Sequence, residues 1–262
     1  MMHIMIGYMA AVLELGVLIR IYWDMEHYPH MLLFGSTGSG KTYLLKLILG
    51  RIGLHLSGSE IVLCDFKGDN DFISIHGSYR FSDCQKGLDR AMEQLRARQA
   101  DPSVSRHCFL FVFDEWSAFL GSLDKKAAEK AKNDLASLLM LGRSFGIHVI
   151  ISQQRVDARY FDNARDNFSF VIGMGRLSKE SVQMMFSDVK EELNPCKGRG
   201  HGSVLAGSAL YDLVVPAITN EAKLQYYIQS GVSRYARLTL PDSGGAAGEA
   251  DSTADVRPMK RG

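Results

Sequence analysis

Residues 35–42 read Gly35-Ser36-Thr37-Gly38-Ser39-Gly40-Lys41-Thr42, directly after the apolar run Met31–Phe34. This is the G-x-x-x-x-G-K-[ST] pattern of a phosphate-binding loop, and few folds accommodate it. Its glycines let the backbone turn successive N–H groups inward around phosphate oxygens. The helix that follows adds its positive N-terminal end. Lys41 is expected to reach the β- and γ-phosphates, and the Thr42 hydroxyl to ligate Mg²⁺. Both contexts agree: a buried strand enters the loop, and Thr42–Leu49 reads as the helix leaving it.

The remainder of the chain alternates in the same way. Glu60–Phe66, Cys108–Phe113, Ile147–Ser152 and Phe168–Ile172 are apolar runs of strand length. Between them, Leu88, Ala91, Met92 and Leu95 fall at i, i+3, i+4 and i+7, and Ala128, Ala131, Leu135, Leu138, Leu139 and Gly142 line one side of a second helix. Strands alternating with helices predict an α/β fold, a mostly parallel central sheet flanked by helices. Ser203–Leu205 and Tyr211–Val215 predict a C-terminal β-hairpin, and Glu221–Ile228 a last helix. Leu13 to Trp23 alternates apolar and polar residues and predicts a half-buried strand. The organisation expected is a strand-rich extension over 1–28, a motor domain over 29–240 and a disordered tail over 241–262. That tail has only Val256 and Met259 as large aliphatic residues.

Composition sets limits. Of 262 residues, 46% are hydrophobic, enough for a core, and the formal net charge is +1, so nucleic-acid binding would need local patches or a ring that concentrates charge. Cys64, Cys84, Cys108 and Cys196 form no CxxC pair, which disfavours a zinc or redox site and suits a reducing cytoplasm. Glu14 and Arg20 interrupt the N-terminal apolar run, so no transmembrane segment or signal peptide is expected. A membrane-surface role for Met1–Leu13 is the minor alternative.

Other stretches carry chemistry. Phe109–Glu115 is an apolar strand ending in two carboxylates, the Walker B pattern. Asp114 would hold Mg²⁺ and Glu115 would polarise the attacking water as general base. Asp65, in Asp65-Phe66-Lys67-Gly68, is a rival base; Glu115 is preferred because it adjoins the metal aspartate. Lys67 is either a nucleic-acid contact or a solvated turn residue. Gln154, in Ser152-Gln153-Gln154-Arg155 after the strand Ile147–Ile151, is suited to sensing the γ-phosphate or positioning water, although an ordinary polar loop reads better from these residues alone. Arg143 reads equally as an arginine finger for a neighbouring subunit and as a helix C-terminal cation. Arg155, Arg159 and Arg165, with Tyr160 and Phe161, interleave basic and aromatic residues as nucleic-acid backbones favour. Asp157, Asp162 and Asp166 dilute that charge, so an ordinary surface loop reads at least as well.

Taken together, PHMLLFGSTGSGKT at 29–42, DFKG at 65–68, FVFDEW at 111–116 and LGRSFGIHVIISQQR at 141–155 resemble the FtsK/SpoIIIE family of DNA-pumping ATPases. Gly200–Ser203 is similar to that family's late glycine-rich turn. The resemblance covers about Pro29 to Pro216. It departs at Gln153, where the family has threonine, and at Val156, where it has proline. It implies a RecA-like motor that hydrolyses ATP with Mg²⁺ and threads double-stranded DNA through a hexameric ring, with Gln154 as sensor and Arg143 in trans. The membrane segments and the DNA-reading winged helix of larger members are not expected. The expectation is therefore a compact motor for plasmid or conjugative-transposon transfer. It would be cytoplasmic and reach the membrane through a membrane-bound or relaxase-type partner. A type VII-like protein secretion ATPase and an ATP-binding scaffold are the alternatives.

Overall fold

The computed structural model describes residues 2–56, 58–68, 70–232 and 254–258. In chain order the elements are β1 (His3–Met9), α1 (Ala10–Leu13), β2 (Arg20–Asp24), β3 (His30–Gly35), α2 (Lys41–His55), β4 (Glu60–Asp65) and β5 (Tyr79–Arg80). They continue as α3 (Cys84–Ala100), β6 (Phe109–Asp114), α4 (Trp116–Ser122), α5 (Lys125–Leu141), β7 (Ile147–Gln153), β8 (Phe170–Met174) and α6 (Lys179–Met185). The last are β9 (His201–Ala206), β10 (Ala209–Val214), β11 (Pro216–Ile218), α7 (Glu221–Val232) and β12 (Ala254–Pro258).

Ten strands form one sheet in the order β2-β1-β10-β9-β8-β3-β7-β6-β4-β5. From β8 to β5 every pairing is parallel; from β8 to β2 every pairing is antiparallel. The central strands β3, β6 and β7 are buried on both faces, which is why they read as unbroken apolar runs rather than alternating ones. Side chains pointing to one face (Phe109, Phe111, Phe113, Val149, Ile151) pack with α3, α4 and α5. Those pointing to the other (Leu110, Val112, Ile150, Leu33) pack with α2 and α7. The result is a three-layer sandwich.

Local chemistry sets the helix boundaries. Asp124 caps α5 by accepting the Ala127 N–H at 2.9 Å, and Ser178 caps α6 by accepting the Ser181 N–H at 3.2 Å. On α2, Gly53 lets α7 approach: a Cβ there would lie 2.7 Å from the Tyr227 carbonyl carbon.

The hairpin expected near the C-terminus is present as β9 and β10, turning at Gly207 with φ of 59°. It is part of the main sheet, between β8 and β1. The N-terminal expectation needs correction. The alternation from Leu13 to Trp23 becomes strand only from Arg20, where Ile21 and Trp23 are buried and Arg20 and Tyr22 are not. Before it, Gly16 at φ 76° breaks the extended backbone, and Leu15, Val17, Leu18 and Ile19 are exposed. The first strand described is β1, which pairs with both β10 and β2 and so brings both amino-terminal strands into the same sheet. The tail at 241–262 lies outside the described residues except 254–258, whose backbone pairs antiparallel with β11.

Two histidines lie in the core beside each other, His30 on β3 and His148 on β7. Burial and the neighbouring His148 push His30 down to about 3; burial pushes His148 down to about 4, although it bonds the Pro29 carbonyl at 3.2 Å. Both are neutral in the folded chain at pH 6.5, the pH at which an unfolded histidine takes up a proton. Their contribution is complete above that pH and is lost as pH falls from about 6.5 toward 4, by about 1.4 kcal/mol per group per unit. Thermal melts should therefore show wild type losing more stability between pH 7 and 5 than a His30→Gln variant. Parallel pH curves would remove this role.

Candidate functional site

The carboxyl ends of the parallel strands bring the expected residues together. β3 ends in Gly35, with φ of 152°, and the loop turns again at Gly38 (80°) and Gly40 (103°). These left-handed values are accessible to glycine at little cost and strained for other residues. α2 begins at Lys41, so the backbone of Gly38–Thr42 opens onto the helix N-terminus. Lys41 is buried, and its Nζ donates to the Gly35 carbonyl at 2.7 Å, folding the amine back over the loop. Burial pushes its pKa down, opposed by Glu115 and Asp114.

Two strands away, β6 delivers the carboxylates: β7 lies between β3 and β6, with Asp114 in register with Ser152 and Phe34 with Gln153. Burial pushes Asp114 up to about 7; the Ser152 hydroxyl and Lys41 lower it, while Glu115 and Asp65 raise it. A buried carboxylate this hard to ionise marks a site short of positive charge. Asp114 and Thr42 offer oxygen donors only, the kind that would suit Mg²⁺. A bound cation there would supply charge for phosphate oxygens, while Lys41 and the loop N–H groups orient them.

Glu115 is buried with φ of 64°, one of two non-glycine residues in the left-handed region among those described. Such strain persists where surrounding structure enforces it, commonly at functional sites. Here the Glu115 N–H donates to the Ser152 carbonyl at 2.7 Å, and the residue caps α4. Its Oε1 pairs with Lys67 Nζ at 3.0 Å. Lys67, expected as a turn residue or DNA contact, thus holds the candidate base. Asp65, the rival base, is fully buried, accepts the Gly68 N–H at 2.9 Å and faces Arg80 Nε at 3.4 Å. It secures its own turn.

Gln154 is half-buried and lines two adjoining clefts. One, of about 480 Å³, is walled by Lys67, Glu115, Arg155, Arg159 and Tyr160. The other, of about 510 Å³, is walled by Gly35, Ser36, Thr37, Arg155 and Arg176. Arg159 stacks 4.8 Å over Tyr160 and pairs with Asp157 at 2.9 Å. Gln153 is buried on the opposite side of the strand end, with Val149 and Ile151, and its amide has no hydrogen-bond partner among the described residues. Arg143 is not brought to this site. It is exposed in the turn before β7, at the amino end of the strand, roughly 20 Å of strand from the phosphate loop. Sequence reasoning missed Arg176 and Gly175, which follow β8; the signal available was the Gly-Met-Gly-Arg run at 173–176.

No helix among the described residues is long and apolar enough to cross a membrane. Residues 4–77 match the family described as the central domain of the helicase HerA, DUF87. Over 234 residues the chain is 33% identical to YdcQ, an FtsK domain-containing protein of Bacillus subtilis, covering 79% of this chain and 48% of YdcQ. It is 27% identical over 212 residues to the ESX secretion system protein EccC of Thermomonospora curvata, covering 66% of this chain and 15% of EccC. The chain thus spans about half of YdcQ and a small part of EccC. Among solved structures, the pCW3 conjugation coupling protein TcpA, a monomer form with ATPγS, has a TM-score of 0.63 at 20% identity, over 81% of this chain and 65% of TcpA. That likeness is one of fold. These matches identify a HerA/FtsK-type DUF87 domain in this chain, on the fold of P-loop ATPases.

Proposed function

We propose that this chain hydrolyses ATP with Mg²⁺ and uses the energy to move double-stranded DNA through a hexameric ring of identical chains. The work suited to it is transfer of plasmid or conjugative-transposon DNA, on the cytoplasmic side of the membrane and with a membrane-bound or relaxase-type partner. The observation that carries this reading is the adjacency of the two clefts. Gly35, Ser36 and Thr37 of the phosphate loop line one cleft and Glu115, Arg159 and Tyr160 the other, and Gln154 and Arg155 line both. A change at the γ-phosphate has a short path to side chains suited to a nucleic-acid backbone. The fold likeness to a conjugation coupling protein supports the setting. Arg143, remote from its own site, acts in this reading across the subunit interface.

A second reading, in which the cargo is polypeptide, is favoured by the 27% identity to EccC, a secretion-system protein. A non-hydrolysing scaffold is opposed by the intact Lys41, Thr42, Asp114 and Glu115. Steady-state ATPase activity with and without duplex DNA separates these readings. DNA stimulation that Lys41→Ala abolishes is the expected result, with Arg143→Ala impaired in the assembled ring. Hydrolysis indifferent to DNA would move the assignment to a protein cargo. No hydrolysis under either condition would leave the scaffold.

A further inference from the structure

The turn that ends β8 is fixed against the phosphate loop. Gly175 has φ of 67°, and a Cβ there would lie 2.8 Å from the Ser39 Cβ. The Gly175 N–H donates to the His201 carbonyl at 2.8 Å, and the Gly200 N–H donates to the Ser39 carbonyl at 3.0 Å. On the far side of the turn, Arg176 bridges to Cys196 through its backbone, and the Leu177 N–H donates to the Pro195 carbonyl at 2.9 Å. Leu177 is buried. The backbone of 174–177 is therefore held from both sides, at a spacing from the loop set by the contact with Ser39.

One side chain leaves this turn for solvent. Arg176 is exposed and shares a cleft with Gly35, Ser36 and Thr37. Its guanidinium makes no ion pair or hydrogen bond among the described residues. Several nearby cations are committed elsewhere, Lys67 to Glu115 at 3.0 Å, Arg159 to Asp157 at 2.9 Å and Lys197 to Asp212 at 2.7 Å, while Arg155 lines the same cleft and lies within reach of the Glu180 charge. An uncommitted guanidinium on a rigid turn beside a phosphate loop matches the fork geometry that phosphate oxygens accept.

The loop's own lysine indicates which phosphate. Lys41, the amine that takes the β- and γ-phosphates in this motif, has its Nζ 2.7 Å from the Gly35 carbonyl. Gly35 is also a wall of the Arg176 cleft. The cleft therefore meets the loop at its terminal-phosphate end.

We propose that Arg176 binds the terminal phosphate of the nucleotide held in its own chain's loop, so that the site distinguishes a nucleoside triphosphate from a diphosphate. This rests on the reading of that loop as a nucleotide site and adds a positioning role in cis, separate from any arginine supplied by a neighbour. A hydrogen bond to a charged group contributes about 10- to 100-fold in affinity. The diphosphate lacks the group that Arg176 contacts.

The test is equilibrium binding of fluorescent ATPγS and ADP analogues with Mg²⁺ to wild type, Arg176→Ala, Arg176→Lys and Lys41→Ala. Arg176→Ala should weaken the triphosphate analogue about 10- to 100-fold and leave ADP within about twofold; unchanged ADP binding also shows that the variant folds. Arg176→Lys should recover part of the discrimination. Equal loss of both nucleotides, or no loss of either, overturns the proposal while the nucleotide site stands. An unchanged nucleotide ratio with weakened duplex-DNA binding overturns it in favour of a DNA-backbone contact. Wild type that binds neither nucleotide, or a Lys41→Ala variant that binds like wild type, overturns the loop reading and this proposal with it.

Discussion

A Glu115→Gln protein should keep nucleotide affinity within about threefold and lose hydrolysis by about 10²- to 10⁴-fold, the range that general-base catalysis supplies. The substitution preserves volume at a buried position, so the fold has little to adjust to. What changes is proton affinity: an amide does not accept the proton of an attacking water. The surroundings make this carboxylate the better candidate of the two near the site. Its backbone is held at φ 64°, anchored to Ser152, while its side chain faces a cleft and a single lysine. Asp65 is fully buried and bonded to Gly68 and Arg80. Single-turnover hydrolysis checks the assignment against Asp65→Asn in parallel. If Glu115→Gln hydrolyses at the wild-type rate and Asp65→Asn does not, the roles are reversed.

The second large effect concerns stability. Phe113 packs edge-on against Trp116 at 5.0 Å and tilted against Phe119 at 4.9 Å between ring centroids. All three side chains are buried where β6 passes into α4. Phe113→Ala removes the shared ring and leaves a cavity that rigid neighbours fill poorly, a loss of about 3–5 kcal/mol. For a chain of this size that corresponds to a melting temperature lower by roughly 6–20 °C. Calorimetry of the variant measures it directly, with Phe113→Leu expected to lose less. A fall under 2 °C would mean that the aromatic group is not what holds the strand end. Because Asp114 and Glu115 directly follow Phe113, hydrolysis should decline in the alanine variant even at temperatures where it stays folded.

The parallel half of the sheet was legible because each buried strand is a continuous apolar run ending in a distinctive polar motif: Phe34 before the phosphate loop, Phe113 before Asp114-Glu115. Position along the strand then sets position in the site, since all those strands end on one side. The antiparallel half was less legible. Ile4, Ile6, Ile21 and Trp23 are spread over two short strands separated by a loop whose leucines and valine are exposed, so hydrophobicity alone misplaces the first strand. Short elements such as β5, α4 and α6 carry too few residues for periodicity to register. Side-chain partners were the least accessible. The histidines of the Pro-His and Gly-Ile-His segments carried a family resemblance with no role attached, and His30 and His148 turn out to be core neighbours. The pairing of Lys67 with Glu115 was not legible either. Both outcomes depend on which strands become neighbours, which no local pattern encodes.

The pairing of β1 with β10 has a consequence for biogenesis. Tyr8 is in register with Val214, so β1, which has β2 beside it on one edge, waits for its second partner, made 206 positions later. Until then Ile4 and Ile6 lack the sheet that covers them, while the parallel strands can assemble from nearer segments. Long-range pairings of this kind are closed late because the loop entropy must be overcome before they return any contact energy. The amino-terminal hairpin is thus a late fastening, and during synthesis it is the segment most in need of protection from unintended strand partners.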